Sequence, residues 1–181
     1  MTEYTIEFAF AGDDIMIVRL NGRGCMQNSL DLQKLANKLR KQNPNFHIIF
    51  DLENCISVDS SFMGTMVGLS TEQKKTGSQY VTVVNLQDHV RNLLVNIGFD
   101  KILDIREKAD IPSVESADFK QIEKTDSPSK IEQIVHTIAA HKALINLDTQ
   151  NEIRFQSVVK YLEDSLDREK KKNDDKTTSG G

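Results

Sequence analysis

The passage from an apolar strand to a helix near the middle of the chain constrains the fold more than any other feature. Residues 46–51 form an apolar run closed by an aspartate, with the length and composition of a buried strand. From Met63 to Leu69, apolar residues recur at helical spacing until a polar stop at residues 74–77. The segment Asp59-Ser60-Ser61 lies between these two elements. Because Asp and Ser are preferred at helix N-caps, we predict that the helix begins here.

A serine at such a helix start has two interpretations. Free backbone N–H groups and the helix dipole favour a negative charge at this end of a helix. A phosphate on Ser60 would add about −1.5 to −2 charges at a fixed, exposed point, which is the chemistry of a regulatory switch. The alternative is that Asp59, Ser60 and Ser61 only cap the helix, which contributes about 1 kcal/mol without any regulation.

The pattern before this segment predicts a hairpin and a helix. Residues 4–11 and 15–20 alternate apolar and polar side chains on either side of a glycine-containing turn, and the predicted buried side of the first strand carries Ile6, Phe8 and Phe10. Residues 22–27 are predicted to form a loop, with Asn28 or Ser29 as the cap of the first helix.

Strands and helices alternate after the hairpin. Strands are predicted at residues 46–50, 80–86 and 102–105, and a short helix beginning near Asp88 is predicted to end at Gly98. An opening hairpin followed by this alternation implies an α/β domain, a mixed sheet packed with helices. Gly64 and Gly68 in the second helix are predicted to permit close backbone packing, since each glycine costs about 1 kcal/mol relative to alanine.

The last third of the chain predicts a helical extension. We divide the chain into a domain at residues 1–110, a connecting segment at 111–128, helices at 129–170 and a disordered tail at 171–181. The connecting segment carries a weak helical pattern at 114–119. A Thr149-x-x-Glu152 capping box favours two helices, with Ser127 or Ser129 capping the first, whereas one heptad register across the break would suit a single long helix.

Composition excludes several classes of function. The net charge of −4 gives no general signature of nucleic-acid binding, and no apolar run reaches the length of a membrane span. The start of the sequence carries no export signal, and Cys25 and Cys55 fit two reduced thiols, so we expect a cytoplasmic protein. The four histidines show no ligand spacing, and no sequence signature assigns Ser60 a base. We therefore expect no metal, no cofactor and no catalysis.

The element order and several motifs resemble the STAS domain of bacterial anti-sigma factor antagonists. The motifs are Asp59-Ser60-Ser61-x-Met63-Gly64 after a strand ending Phe50-Asp51-Leu52, Leu20-Asn21-Gly22 closing the second strand, and Leu93-Leu94-x-x-x-Gly98-Phe99. The resemblance implies that Ser60, less readily Ser61, is phosphorylated by an anti-sigma factor that is also a serine kinase. It implies further that a metal-dependent phosphatase resets the protein, and that the unphosphorylated form binds the anti-sigma factor.

Two departures from the common family pattern bear on partners. Phe62 stands where a glycine usually follows the two serines, and Arg23-Gly24 stands where acidic residues are common. We expect the partner to contact Asp59, Ser61, Phe62, Met63, Arg23 and Gly24. Phe62 is either such a contact or a core residue of the helix, and its helical spacing favours the core.

Two further alternatives stay open. The domain acts either through phosphorylation or without it, as a ligand- or nucleotide-sensing module or a subunit of an assembly. The C-terminal helices either pack on the domain or form a homodimer or partner interface.

Overall fold

The computed structural model describes residues 5–76, 79–106, 117–122 and 127–178. Its strands are β1 (Thr5–Ala11), β2 (Ile15–Gly24), β3 (His47–Asp51), β4 (Cys55–Val58), β5 (Thr82–Val84), β6 (Asp104–Ile105) and β7 (Lys120–Gln121). Its α-helices are α1 (Met26–Gln42), α2 (Ser60–Lys75), α3 (Asp88–Val95), α4 (Lys130–Leu147) and α5 (Thr149–Thr178). A short 3₁₀ helix spans Phe99–Lys101.

These strands form one mixed sheet, which confirms the predicted α/β class. The order across the sheet is β6-β5-β3-β2-β1-β7, and β4 pairs with the far end of β2. β1 is antiparallel to both β2 and β7. The pairs β2–β3, β3–β5 and β5–β6 are parallel. The parallel strands therefore end at one edge of the sheet, and α2 starts at that edge.

Alternating side chains of the central strands divide into two layers. Met16, Val18 and Leu20 of β2 join the main core beneath the helices. Ile17 faces the other way, where it packs with Ile49 and Val84 against the segment around Phe119. The period of two along a strand produces both layers from one run of apolar residues.

The hairpin and first helix differ from the sequence predictions in three places. Strand β2 continues to Gly24 because residues predicted as a loop pair with β4, an element the sequence did not indicate. The backbone bends at Gly22, whose φ is +87°. Helix α1 begins at Met26 rather than after Asn28 or Ser29, and Asn28 instead accepts a hydrogen bond from the Cys25 N–H. Phe10, predicted to be buried, is half exposed: it lies at the turn end of β1, where its ring meets that of Phe8 edge-on at 5.7 Å between centroids.

The C-terminal region contains two helices, as the sequence analysis favoured over a single long helix. Ser129 caps α4 in a capping box with Glu132, and Asp148 accepts the Gln150 N–H at the start of α5. Before α4, strand β7 pairs with β1. A weak helical pattern was predicted at 114–119; residues 117–119 are not helical, and 114–116 lie outside the described residues. Helix α5 runs to Thr178, so residues 171–178 of the predicted tail are helical.

The two C-terminal helices pack on each other and on the domain. Ile134 and Ile138 of α4 meet Val159 of α5, while Leu144 reaches the main core. Buried Asn151 fastens the turn between the helices, donating to the carbonyls of Ile97 and Leu144 at 2.9 Å each. We call α4 and α5 together the C-terminal hairpin.

Candidate functional site

Asp59 joins the beginnings of two helices at the edge of the sheet. Its Oδ1 accepts the Phe62 N–H at 2.8 Å, which caps α2, and its Oδ2 accepts the Met26 N–H at 3.1 Å. The Asp59 N–H donates to the Gly24 carbonyl at 2.8 Å. The carboxylate thus satisfies free N–H groups of α1 and α2 together, and it places Ser60 as the first residue of α2.

Phe62 is a core residue, as its helical spacing favoured. Its side chain is fully buried and meets the Phe50 ring edge-on, with the ring centroids 6.4 Å apart. A Cβ on Gly24 would lie 2.7 Å from Cγ of Phe62, so only glycine lets β2 pass this closely. Phe62 therefore positions the start of α2 from below.

The predicted partner contacts divide into surface and interior. Asp59 and Arg23 are exposed, and Ser60 is half-buried. Ser61 and Met63 are buried like Phe62, so their side chains are turned away from solvent, and the backbone of Gly24 is buried as well. Of the site residues predicted from the sequence, those at the surface are therefore the Asp59–Ser60 corner and Arg23.

His141 of α4 contacts the Ser60 hydroxyl directly. The Nε2 atom lies 2.9 Å from the Ser60 Oγ, and the Nδ1 atom lies 2.8 Å from the Thr137 carbonyl oxygen. A carbonyl can only accept, so Nδ1 carries a proton in this arrangement. In the neutral ring Nε2 then accepts, and the Ser60 hydroxyl donates to it.

Helix α4 is held against α2 at close range. Gly64 lies one turn after Ser60, and a Cβ there would be 2.1 Å from the Ala140 carbonyl oxygen. Close packing was predicted for Gly64 and Gly68, but a Cβ on Gly68 would meet nothing within 4 Å. On its far side the His141 ring meets Phe155 of α5 edge-on, at 5.4 Å between centroids. The His141 side chain is consequently wedged between Ser60 and the second helix of the hairpin.

His136 makes a second contact between the hairpin and the helix starts. Its Nε2 lies 2.8 Å from the Ser29 Oγ and 3.3 Å from the Thr65 Oγ1. Both hydroxyls donate elsewhere, Ser29 to the Met26 carbonyl and Thr65 to the Ser61 carbonyl. Their oxygens are therefore left to accept, and His136 donates from Nε2.

Burial lowers the pKa of His136 below its usual 6.5, with a smaller opposing effect of Asp59 and a smaller lowering effect of Lys34. The unfolded chain thus binds a proton at mildly acidic pH that the folded chain does not. We expect the free energy of unfolding to be highest above pH 6.5 and to fall as the pH drops through that value. His47, whose pKa is also lowered by burial, contributes in the same direction.

Urea unfolding of wild type and His136→Gln between pH 7.5 and 5 measures the His136 contribution. Glutamine keeps an N–H donor but does not titrate, so the variant should lose less stability on acidification than wild type. Identical pH dependence in the two proteins would show that His136 is not protonated more readily in the unfolded state.

The sequence did not indicate either histidine contact. The spacing of the histidines gave no ligand set, and no sequence signature assigned Ser60 a base; in the structure His136 and His141 of α4 are both buried. The residues that meet are 81 positions apart for Ser60 and His141, and 107 for Ser29 and His136. The sequence offered only a weak signal, that His136 lies between the apolar residues Ile134 and Ile138 of α4. The structure buries all three, whereas the apolar Val135 is half exposed.

Groups for metal binding or membrane crossing are missing from the part of the chain that the structure describes. There, no three His, Cys, Asp or Glu side chains converge as metal ligands. None of the helices described combines the length and hydropathy needed to cross a bilayer. Cys25 and Cys55 are free thiols, and burial raises the pKa of the Cys55 thiol to about 11.

The fold and this site define a mixed-sheet α/β module with an aspartate-capped serine at the first residue of its second helix. The chain belongs to the STAS domain family, whose model matches residues 11–111. No curated protein matches the chain.

Several solved structures have the same fold at low sequence identity. The anti-sigma factor antagonist SpoIIAA in its unphosphorylated form is 15% identical, with a TM-score of 0.54, over 61% of this chain and 94% of that one. The phosphorylated form of this Bacillus cell fate determinant is 14% identical, with a TM-score of 0.51, over 61% and 97%. A Thermotoga maritima protein, described as a candidate anti-sigma factor antagonist, is 19% identical with a TM-score of 0.51, over 60% and 91%.

Proposed function

We propose that this protein is an anti-sigma factor antagonist, a non-catalytic regulator that is switched off by phosphorylation at Ser60. The position of Ser60 carries the proposal: it is the first residue of α2, directly after the capping Asp59, in a STAS domain. Similarity to SpoIIAA, whose structure exists in phosphorylated and unphosphorylated forms, supports this choice.

Physical chemistry supports Ser60 over Ser61 as the modified residue. Ser60 is half-buried at the sheet edge, whereas Ser61 is only 6% exposed. A phosphate on Ser61 would place about two negative charges at a buried position, at a large desolvation cost. A phosphate on Ser60 would lie at a helix N-terminus, where negative charge is favoured.

The proposed partners follow from this role. An anti-sigma factor that is also a serine kinase would bind the unphosphorylated corner formed by Asp59, Ser60 and Arg23, and a metal-dependent phosphatase would restore it. With these partners the protein would act in the cytoplasm. Phe62 and Met63 would shape this surface from the core instead of contacting the partner.

Mass spectrometry of the Asp59–Met63 region tests the site of modification. The full chain is incubated with ATP, magnesium and each of the host's purified serine kinases, alongside Ser60→Ala and Ser61→Ala controls. We expect one phosphate, on Ser60, that Ser60→Ala abolishes and Ser61→Ala retains. A phosphate on Ser61 alone, or none with any kinase, would contradict the proposal.

A cleft favours a second candidate, ligand or nucleotide sensing without phosphorylation. It has a volume of about 570 Å³ and lies between α1, α2, α4 and the 3₁₀ helix. Its lining combines amides such as Asn37 and Asn146 with Lys101 and apolar side chains. Calorimetric titration with nucleotides tests the nucleotide-sensing form of this candidate. Failure to bind any nucleotide would rule that form out.

The predicted homodimer through the C-terminal helices also remains a proposal. Part of the apolar stripe that suggested it is buried within the chain, between α4 and α5. Ile153 and Tyr161 of α5 stay exposed, at 81% and 66%. Sedimentation of the full chain would show whether this remainder supports a dimer.

A further inference from the structure

We propose that the C-terminal hairpin is an autoinhibitory cover: α4 docks on the start of α2, and it must move away before Ser60 can be phosphorylated. The inference rests on the proposed function in naming Ser60 as the modified residue. It goes further by assigning the hairpin a role in controlling when that modification occurs.

The first observation is what the Ser60 hydroxyl contacts. Its proton is directed to Nε2 of His141 at 2.9 Å, so the imidazole takes the place beside the hydroxyl where the catalytic base of a kinase would have to accept that proton. His141 is itself 4% exposed and is held by the Thr137 carbonyl and the Phe155 ring. The imidazole cannot swing aside while α4 and α5 stay in place, so Ser60 becomes free only when α4 moves.

The second observation is how closely α4 lies over α2. Ala140 contacts Gly64 backbone to backbone, one turn into the helix that carries Ser60. Any protein that approached this side of α2 would have to replace α4. The docked hairpin therefore excludes the kinase from the serine and from the adjoining helix surface.

The third observation is that the attachment mixes apolar packing with a few removable polar contacts. Leu144 anchors α4 in the main core, whereas the hairpin turn is tied down by Asn151 on the Ile97 carbonyl and by Arg154 on the Asn96 carbonyl. The two helices also share an apolar cluster of their own. Because the hairpin keeps that internal cluster when it undocks, it can leave as a unit, as local opening of cooperative segments does.

A docked cover makes the phosphorylation rate depend on the undocked fraction. If the kinase acts only on the undocked state, the observed rate is the intrinsic rate multiplied by the fraction of molecules that are undocked. A change that weakens docking without touching Ser60 or the kinase should raise the rate in proportion.

Gly64→Ala is the variant that separates docking from the rest of the fold. The added methyl group would lie 2.1 Å from the Ala140 carbonyl, so α4 has to shift, while α2 itself gains helix propensity. Gly68→Ala is the matched control, because it makes the same change one turn later in the same helix, where the methyl group meets nothing within 4 Å. Asn151→Ala weakens docking at the hairpin turn by removing the hydrogen bonds to the Ile97 and Leu144 carbonyls, and it changes neither Ser60 nor His141.

Two measurements on the full chain decide the matter. Amide hydrogen exchange of residues 134–147 reports docking without any kinase, and initial rates of Ser60 phosphorylation report access. In Gly64→Ala and Asn151→Ala we expect exchange and phosphorylation both to rise at least about tenfold, with Gly68→Ala close to wild type.

The other outcomes are distinguishable. Faster exchange with an unchanged phosphorylation rate would overturn the cover and leave the proposed function standing. Unchanged exchange in both docking variants would overturn the assigned contact, and the cover with it. Absence of Ser60 phosphorylation in every variant, despite faster exchange, would overturn the proposed function and the role that this inference gives to the hairpin.

Discussion

Replacing Phe62 by alanine should lower the free energy of unfolding by about 3–5 kcal/mol, the range for a fully buried phenylalanine. The ring is 0% exposed, packs on Phe50 and fills the space that Gly24 leaves open. Its removal opens a cavity between the sheet and α2 that the backbone of β2 cannot close. The start of α2, and with it Ser60, loses its support.

Urea unfolding followed by circular dichroism measures this effect, since the chain contains no tryptophan. Phe10→Ala is the matched control: the same substitution at a ring that is 49% exposed should cost at most about 1 kcal/mol. If Phe62→Ala and Phe10→Ala cost the same, Phe62 is not a core residue, and its interpretation as a partner contact would have to be taken up again.

Asp59→Ala should cost about 2 kcal/mol, because one carboxylate caps two helices. Asp59→Asn should cost about 1 kcal/mol, since the amide oxygen can still accept the Phe62 N–H while its NH₂ group faces a donor at Met26. The rate of Ser60 phosphorylation in Asp59→Asn should fall by a larger factor than this loss of stability explains, because a kinase would recognise the negative charge of Asp59 beside the hydroxyl.

A kinase assay on folded Asp59→Asn, run beside its thermal melt, tests both parts. Phosphorylation at the wild-type rate would make Asp59 a structural cap only. Equal stability of wild type and Asp59→Ala would show that the bridge between the two helix starts contributes nothing.

The sequence predicted the fold correctly where the residues that define an element's start or end lie within that element or next to it. An aspartate before a serine predicted the start of α2, and Gly98 adopts the left-handed φ of +93° expected of a helix-ending glycine. Two helices were favoured at the C-terminus, although Asp148 rather than Thr149 provides the cap. In each case the decisive contacts are within a few residues of one another.

Contacts between distant segments could not be read in this way. Residues 55–58 form β4 because they pair with Gly22, Arg23 and Gly24 at the end of β2. A segment of four residues is too short to show a strand periodicity in the sequence. His141 was visible in the sequence, but nothing near it indicates a serine 81 positions away. The sequence thus predicted Ser60 and its capping Asp59 as parts of the candidate site, but it did not predict the contact of Ser60 with His141.

Calorimetric titration of the protein with the anti-sigma factor of its host tests the central claim most directly. A phosphate at an interface brings charge repulsion and a desolvation cost, so the Ser60-phosphorylated protein and Ser60→Asp should bind at least about tenfold more weakly than wild type. Ser60→Ala should bind like unphosphorylated wild type and should resist inactivation by the kinase. Equal affinity for wild type, the phosphoprotein and Ser60→Asp would contradict a switch at Ser60.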